Sequence, residues 1–389
     1  MSVQDLALQR SKYKHLSDDE WRWFLQQVEG RERTADKLPT FAAIEDWWYP
    51  VRLSCEQCSS ELAARYKASL CSVSPQDGLS SVRRSRSLLD LTGGYGVDTF
   101  FLSEAFNHTD YVEQNAELCR IAEHNFSLIE NRKSIIVNNT TAEEFLQTAS
   151  HYDLIFLDPA RRDSHGGKVF RLEDCTPNVV ELLPTLLAHL TPNGRLLLKL
   201  SPMLDISQAV KSLSTVNWDI HVVAIKNEVK EVLLLSGGSG QITAIDLEKK
   251  DQTFVFTKEE ESQTVSLPYR EGLGVGSFLY EPNAAILKAG AYKLVAQRFG
   301  LHKLDVNTHL YTSDTLIENF PGRIWKCLNE PINAKMAHGQ MVNVLVRNYP
   351  LTAEQLKKKL KLKDGGDTYI IGCRINGKPT ILTAERKKI

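Results

Sequence analysis

The sequence predicts an α/β fold: a parallel sheet covered by helices on both faces and ended by an antiparallel hairpin. Three observations lead there. Short apolar runs alternate with helical periodicity from about Arg86 to Leu213, and alternating βα units need a parallel sheet between two helical layers. A glycine-rich turn, Gly93-Gly94-Tyr95-Gly96, follows the first run. Two last strands, Trp218 to Ile225 and Glu231 to Leu235, are parted by a short polar turn containing Asn227-Glu228, which is hairpin spacing.

The elements follow in order. Residues 1–50 read as a helical cap. Ser17 is an N-cap with Asp18, Asp19 and Glu20 in the first turn, ahead of an apolar face of Trp21, Phe24, Leu25 and Val28. Trp47-Trp48-Tyr49-Pro50 is expected to pack this cap onto the next domain. A second helix is expected from Cys55 to Leu70, with Leu62, Tyr66 and Leu70 on its apolar stripe. Strands are then expected over 87–91, 109–113, 134–137, 152–157 and 194–200. The helices between and after them are expected over 100–105, 116–125, 142–148, 178–190 and 206–213. Together residues 51–240 form the main domain, and Ser236-Gly237-Gly238-Ser239-Gly240 reads as its boundary.

Beyond it, residues 241–275 read as a β-rich connection with strands over 242–247 and 253–256 and an acidic run at Glu259-Glu260-Glu261. Residues 276–320 hold one helix, Asn283 to Phe299, ended by Gly300. Residues 321–389 read as short strands over 323–327, 341–346, 368–374 and 379–382, with a helix over 352–360. The C-terminal parts are therefore small α+β domains.

The net charge of −1 hides an asymmetry: residues 276–389 carry 18 Lys and Arg against 9 Asp and Glu. A net of +9 there fits contact with a polyanion or a solvated lysine surface. Seven cysteines, an odd number, argue against a disulfide framework and for a reducing cytoplasm. The longest apolar runs are strand-sized, well short of the ~20 residues of a membrane span. Residues 1–10 lack the apolar segment of a secretory signal. Cys55-Glu56-Gln57-Cys58 has metal-ligand spacing but no second ligand pair, so no metal is expected.

The chemistry concentrates in Asp90-Leu91-Thr92-Gly93-Gly94-Tyr95-Gly96-Val97-Asp98. Glycines there let the backbone approach a ligand at a helix N-terminus. Glu113 closes the second strand, where an acid accepts hydrogen bonds from ribose hydroxyls. The third glycine of a dinucleotide fingerprint is absent, since Val97-Asp98-Thr99 follows Gly96. The order acid, glycines, acid favours S-adenosylmethionine (SAM) over NAD, and a parallel sheet with a terminal hairpin is the class I methyltransferase pattern. Asp98 either joins the cofactor site or caps the next helix. Asp158-Pro159-Ala160-Arg161-Arg162 after the fourth strand resembles the D-P-P-x turn at the catalytic edge of nucleic-acid methyltransferases. Proline fixes φ and helps aim carbonyl oxygens at an acceptor. Arg161 stands where base-amine enzymes place an aromatic residue; it can stack or bind phosphate. Lys199, ending the fifth strand, either lines the acceptor pocket or is an ordinary strand-end lysine. No cysteine follows it, which disfavours C5-pyrimidine chemistry.

These motifs, with the upstream Glu56-Gln57-Cys58-Ser59-Ser60-Glu61 and Tyr66-Lys67, resemble bacterial class I SAM-dependent methyltransferases with a THUMP-like C-terminal domain. In that family a ferredoxin-like domain precedes the THUMP-like one. Glu281-Pro282-Asn283-Ala284-Ala285 and Leu351 to Arg374 look like those parts, giving a ferredoxin-like domain at 276–320 and a THUMP-like RNA-binding domain at 321–389. The resemblance implies SAM as cofactor and RNA (tRNA or rRNA) as partner. The ribose is then expected on Glu113 and the methionine end near Asp90, Thr92 and Gly93–Gly96. The adenine is expected near Thr141 and Ala142, where an acid is usual, and Asp158 and Pro159 face the methyl group. A non-catalytic RNA-binding protein and a small-molecule or protein methyltransferase remain the alternatives.

Overall fold

A computed structural model describes residues 3–71, 86–130, 134–161, 171–265, 275–328 and 341–387. The chain forms two compact units, residues 1–218 with 233–237, and residues 219–232 with 238–389.

In the first unit the cap helix spans Asp18–Thr34. Ser17 Oγ accepts from the Glu20 N–H, and the Glu20 carboxylate accepts from the Ser17 N–H at 2.7 Å. This reciprocal box satisfies two otherwise unpaired helix donors. The helix expected from Cys55 to Leu70 is instead two, Arg52–Gln57 and Glu61–Cys71. Cys58 is extended, and Ser59 donates its hydroxyl to Asp98 at 2.7 Å. The expected apolar stripe is also displaced: Leu62 is 44% exposed, whereas Ala63, Ala64 and Lys67 face inward. A buried lysine on the core face inverts the hydropathy pattern.

The strands of this unit are β1 (Ser87–Asp90), β2 (His108–Val112), β3 (Ile135–Asn138) and β4 (Tyr152–Leu157). After β4, β5 (Ala160–Arg161) and β6 (Cys175–Thr176) make a small antiparallel ladder, and β7 (Leu190–Leu200) returns to the sheet. All pairings among β1, β2, β3, β4 and β7 are parallel. Their carboxyl ends therefore open on one side. The cap is locked on by the expected aromatic cluster. Trp47 and Tyr49 are buried with Tyr95, Phe100 and Phe126, and the Trp47 indole donates to the Tyr95 hydroxyl at 2.9 Å.

β8 (Trp218–Ile225) and β9 (Glu228–Ser236) are joined by Lys226 and Asn227, at φ 54° and 61°. Two left-handed residues give the turn whose twist suits a hairpin. β10 (Gln241–Asp246) pairs parallel with β8, and β11 (Lys249–Thr257) pairs antiparallel with β10. The large sheet has the order β11-β10-β8-β9-β7-β4-β1-β2-β3. The expected hairpin is present, but residues 241–257 extend this sheet instead of connecting domains. The Ser236–Gly240 stretch, read as a boundary, does contain the passage from the first unit to the second, at 237/238, and it is a turn. The Asp219 carboxylate accepts from the Ser239 and Gln241 N–H groups at 2.9 and 3.0 Å.

The second unit also holds a seven-stranded sheet of order β13-β14-β12-β15-β18-β17-β16. Its members are β12 (Phe278–Pro282), β13 (His302–Asp305), β14 (Thr308–Ser313) and β15 (Gly322–Leu328), then β16 (Met341–Arg347), β17 (Lys363–Ile375) and β18 (Lys378–Lys387). β15 pairs with β12 on one side and β18 on the other. The two small C-terminal parts thus share one sheet across the boundary drawn at 320/321. The helix expected over 283–299 is two, Ala284–Ala289 and Tyr292–Arg298, because Gly290 turns left-handed at φ 86°. Among the described residues no helix is long and apolar enough to cross a membrane.

Candidate active site

A cleft of about 320 Å³ opens at the carboxyl ends of the parallel strands in the first unit. Of the residues singled out in the sequence, Asp90, Thr92, Gly93, Gly94, Asp98 and Glu113 line it, as do Thr141, Ala142, Asp158 and Lys199. Gly96 and Pro159 do not line it, although Ala160 does. Arg161 is described only through its backbone in β5, and Arg162 lies outside the described residues.

The turn after β1 is built around Asp90, which is buried. Its carboxylate accepts from the Thr92 N–H at 3.0 Å and from the Thr99 hydroxyl. Burial pushes this carboxyl up to about 7; the nearby Asp98 and Asp158 charges add to the rise and the two hydrogen bonds oppose it. A cationic ligand group beside Asp90 would favour its ionised form. Gly93 is required by packing, since a Cβ there would lie 2.1 Å from the Tyr111 ring. Gly94 is left-handed at φ 53°, and a Cβ would meet nothing closer than 3.8 Å, so its backbone faces open space. Gly96 is also left-handed, at the cap of the helix Val97–Leu102.

Glu113 follows β2 directly. Its two oxygens accept from the Gly94 and Asn115 N–H groups, at 2.9 and 2.8 Å. That fixes the side chain and leaves each oxygen a further lone pair, enough for two ribose hydroxyls. Thr141 caps the helix Ala142–Leu146 through a reciprocal box with Glu144. An acid does reach this part of the cleft, Glu143, two residues past the expected place.

Opposite lies a chain of charges. Lys199 pairs with Asp158 and sits 3.8 Å from Asp98. Asp98 is also 3.2 Å from Lys67, a fully buried lysine, which donates to Ser59 Oγ at 3.2 Å. Burial raises the Asp98 carboxyl, but Lys67 and Lys199 outweigh it and hold the group below the usual carboxylate range. Asp98 therefore does not cap the helix, whose N-cap is Gly96 with no side-chain bond; it joins two lysines at the cleft. Thr92 Oγ1 accepts from the Asp158 N–H at 2.7 Å, tying the turn after β4 to the turn after β1. Ser59 and Lys67 stood in the upstream stretch of the resemblance with no role attached. No periodicity or motif marks them as part of a site.

Family models match the C-terminal third: a ferredoxin-like domain over residues 278–321 and a THUMP domain-like module over 331–386. The chain is similar to a methyltransferase candidate of Porphyromonas gingivalis W83 known from its crystal structure. Identity is 32% and the TM-score 0.80, over 96% of this chain and 92% of that one. Two shorter structures overlap in part. One is the precorrin-6y C5,15-methyltransferase of Geobacter metallireducens GS-15, at 13% identity over 50% of this chain and 94% of that one, TM-score 0.35. The other is a methyltransferase candidate of Streptococcus mutans in complex with SAH, at 11% identity over 39% and 88%, TM-score 0.31. Neither overlap bears weight here. No curated protein matches the chain. The fold is that of a class I methyltransferase, a class whose cofactor is SAM. The chain belongs, with the Porphyromonas gingivalis protein, to the bacterial family of these methyltransferases that carries ferredoxin-like and THUMP-like C-terminal domains.

Proposed function

We propose that this protein transfers a methyl group from SAM to RNA and that its C-terminal unit holds the RNA. One observation supports the catalytic half above all others: Asp90, Gly94, Glu113, Thr141, Asp158 and Lys199, scattered over 110 positions, line a single cleft at the strand ends. In this reading Glu113 accepts the ribose hydroxyls, and Asp90 with the Gly93–Gly94 backbone meets the methionine end. Thr141 and Ala142 border the adenine. SAM supplies an electrophilic methyl group on a sulfonium. The chain's own part is to hold an acceptor atom in line with the bond that breaks, and such positioning can account for much of a rate enhancement. Asp158, at the cleft and 38% exposed, accepts a hydrogen bond or a proton from the acceptor, and Lys199 orients it. Arg161 follows on the same turn and would stack on or grip the acceptor nucleotide.

Glu113→Ala should weaken SAM by roughly 10–100-fold without unfolding the protein, since a charged acceptor of two hydroxyls contributes about 1.5–3 kcal/mol. Calorimetry on the folded variant checks this; unchanged affinity would remove Glu113 from the site.

RNA as acceptor is supported by the THUMP-like match and by the net +9 of residues 276–389. Lys358, Lys359, Lys361 and Lys363 are exposed around the end of the helix Ala353–Leu360, whereas Lys357 is paired with Asp364. Replacing the four exposed lysines by Gln keeps helix propensity and removes four charges. Each lost phosphate contact should flatten the salt dependence of RNA binding by about 0.7 for a single strand or 0.9 for a duplex. SAM affinity should be unchanged. Equal slopes would make this run a solvated surface. The decisive experiment is methyl transfer from labelled SAM to total RNA from a strain lacking the gene. Label in small molecules or protein but not in RNA would overturn the RNA reading.

A further inference from the structure

In the second unit, β13 and β14 stand at one end of the seven-stranded order and β16 and β17 at the other, yet they contact one another. The sheet therefore curls, and one of its faces is concave. Register decides which residues share that face. Trp325 is opposite Arg386 and Cys327 opposite Ala384; Ala384 is opposite Tyr369, which is opposite Asn343. With a side-chain period of two, Arg323, Trp325, Arg386, Tyr369 and Asn343 all project from one face. Deeper on that face lies an apolar core containing Leu279, Leu304 and Leu310. Ala384, fully buried between Cys327 and Tyr369, keeps the floor low, and a cavity of about 320 Å³ remains, lined by those five residues and Asp364 among others.

Two features of this cavity point to an anion. The first is charge. Arg323 and Arg347 share the buried Glu281, Lys357 is paired with Asp364, and Arg386 is exposed. Two arginines, Arg323 and Arg386, thus line the cavity against one carboxylate, Asp364, which Lys357 already pairs. The second is an orphan donor. Trp325 is 1% exposed, and its indole Nε1–H has no hydrogen-bond partner among the described residues. A buried N–H left unpaired is costly and calls for an acceptor. A guanidinium fork beside a lone N–H is a donor set suited to phosphate oxygens.

We propose that this cavity is a phosphate-binding site, and that in the cell it takes a phosphodiester of the bound RNA. The second clause rests on the RNA reading above; the first does not. The site would hold the RNA backbone by one defined phosphate, in addition to diffuse attraction by the lysine run.

The test follows the six tryptophan indole N–H signals of the full-length protein in nitrogen-15 NMR, with Trp325→Phe assigning the relevant one. Inorganic phosphate and, separately, a short single-stranded oligouridine are titrated at constant ionic strength. The Trp325 signal should move with both, and Arg386→Gln should weaken each response about tenfold while leaving SAM binding unchanged. A Trp325 signal that ignores phosphate, or moves equally in Arg386→Gln, overturns the site. A signal that responds to phosphate but not to oligouridine keeps the phosphate site and removes RNA as its natural source.

Discussion

Asp158→Ala is expected to lower methyl transfer by about 10²–10⁴-fold, the range contributed by a positioned proton acceptor, with little change in SAM affinity. The two effects separate because the residue is held in two independent ways. Its N–H donates to Thr92 Oγ1, so the turn after β4 keeps its place without the side chain. Its carboxylate instead points at Lys199 and is more than a third exposed at the cleft. Removing it strips the acceptor side of its anion while Glu113, Gly94 and Thr141 are untouched. Asp158→Asn keeps the shape and loses the charge, so it should fall nearly as far. Single-turnover transfer to a verified substrate gives the rate, and calorimetry gives the SAM affinity. Transfer at the wild-type rate would reduce the Asp158-Pro159 turn to a structural element.

Much of this site is readable from the chain because its groups sit where strands end. A strand end in a parallel sheet is marked by a short apolar run that stops, and Tyr152–Leu157 stops at Asp158. The same holds for Asp90 after Leu88-Leu89 and for Glu113 after Tyr111-Val112. Each acid is thereby placed by periodicity, and topology then brings them together. The unread part comes from tertiary packing that overrides local pattern. Lys67 occupies a core-facing position where hydropathy expects an apolar residue, and its partner Asp98 lies 31 residues on in another element. The two split helices have a similar cause. Gly290 is the αL stop of one helix inside a continuous apolar pattern, and Ser59 leaves the helical path to reach Asp98. The glycines at 237, 238 and 240 read as a boundary, and the chain does pass between its two units at 237/238, but the local packing of these glycines is not legible. They serve a turn packed on Asp219, whose proximity no local window contains.

The second large effect concerns that buried lysine. Lys67→Met should destabilise the protein by about 3–5 kcal/mol at neutral pH, because removing one partner of a buried pair leaves the other charge uncompensated. Lys67 is fully buried and the Asp98 side chain is 10% exposed, so solvent cannot take the lysine's place. Lys199, at 3.8 Å, remains and keeps the loss toward the lower end. The dependence on pH has a definite sign. In the wild type Asp98 titrates below its ordinary value, so its contribution is present above that value and is lost as pH falls through the lower folded one. In Lys67→Met burial dominates and raises the carboxyl. The deficit should therefore be greatest near pH 7 and shrink as pH falls through the raised value of the variant's Asp98, where the stranded carboxyl takes up a proton. Adding Asp98→Asn to Lys67→Met removes the stranded charge and should recover more than half of the loss, although Asp98→Asn alone is destabilising. Urea unfolding of the wild type, both single variants and the double variant at pH 7 and pH 5 measures the coupling. Additive losses, or a Lys67→Met deficit independent of pH, would mean that Lys67 acts by packing alone and that the charge chain at the cleft does not extend to the helix Glu61–Cys71.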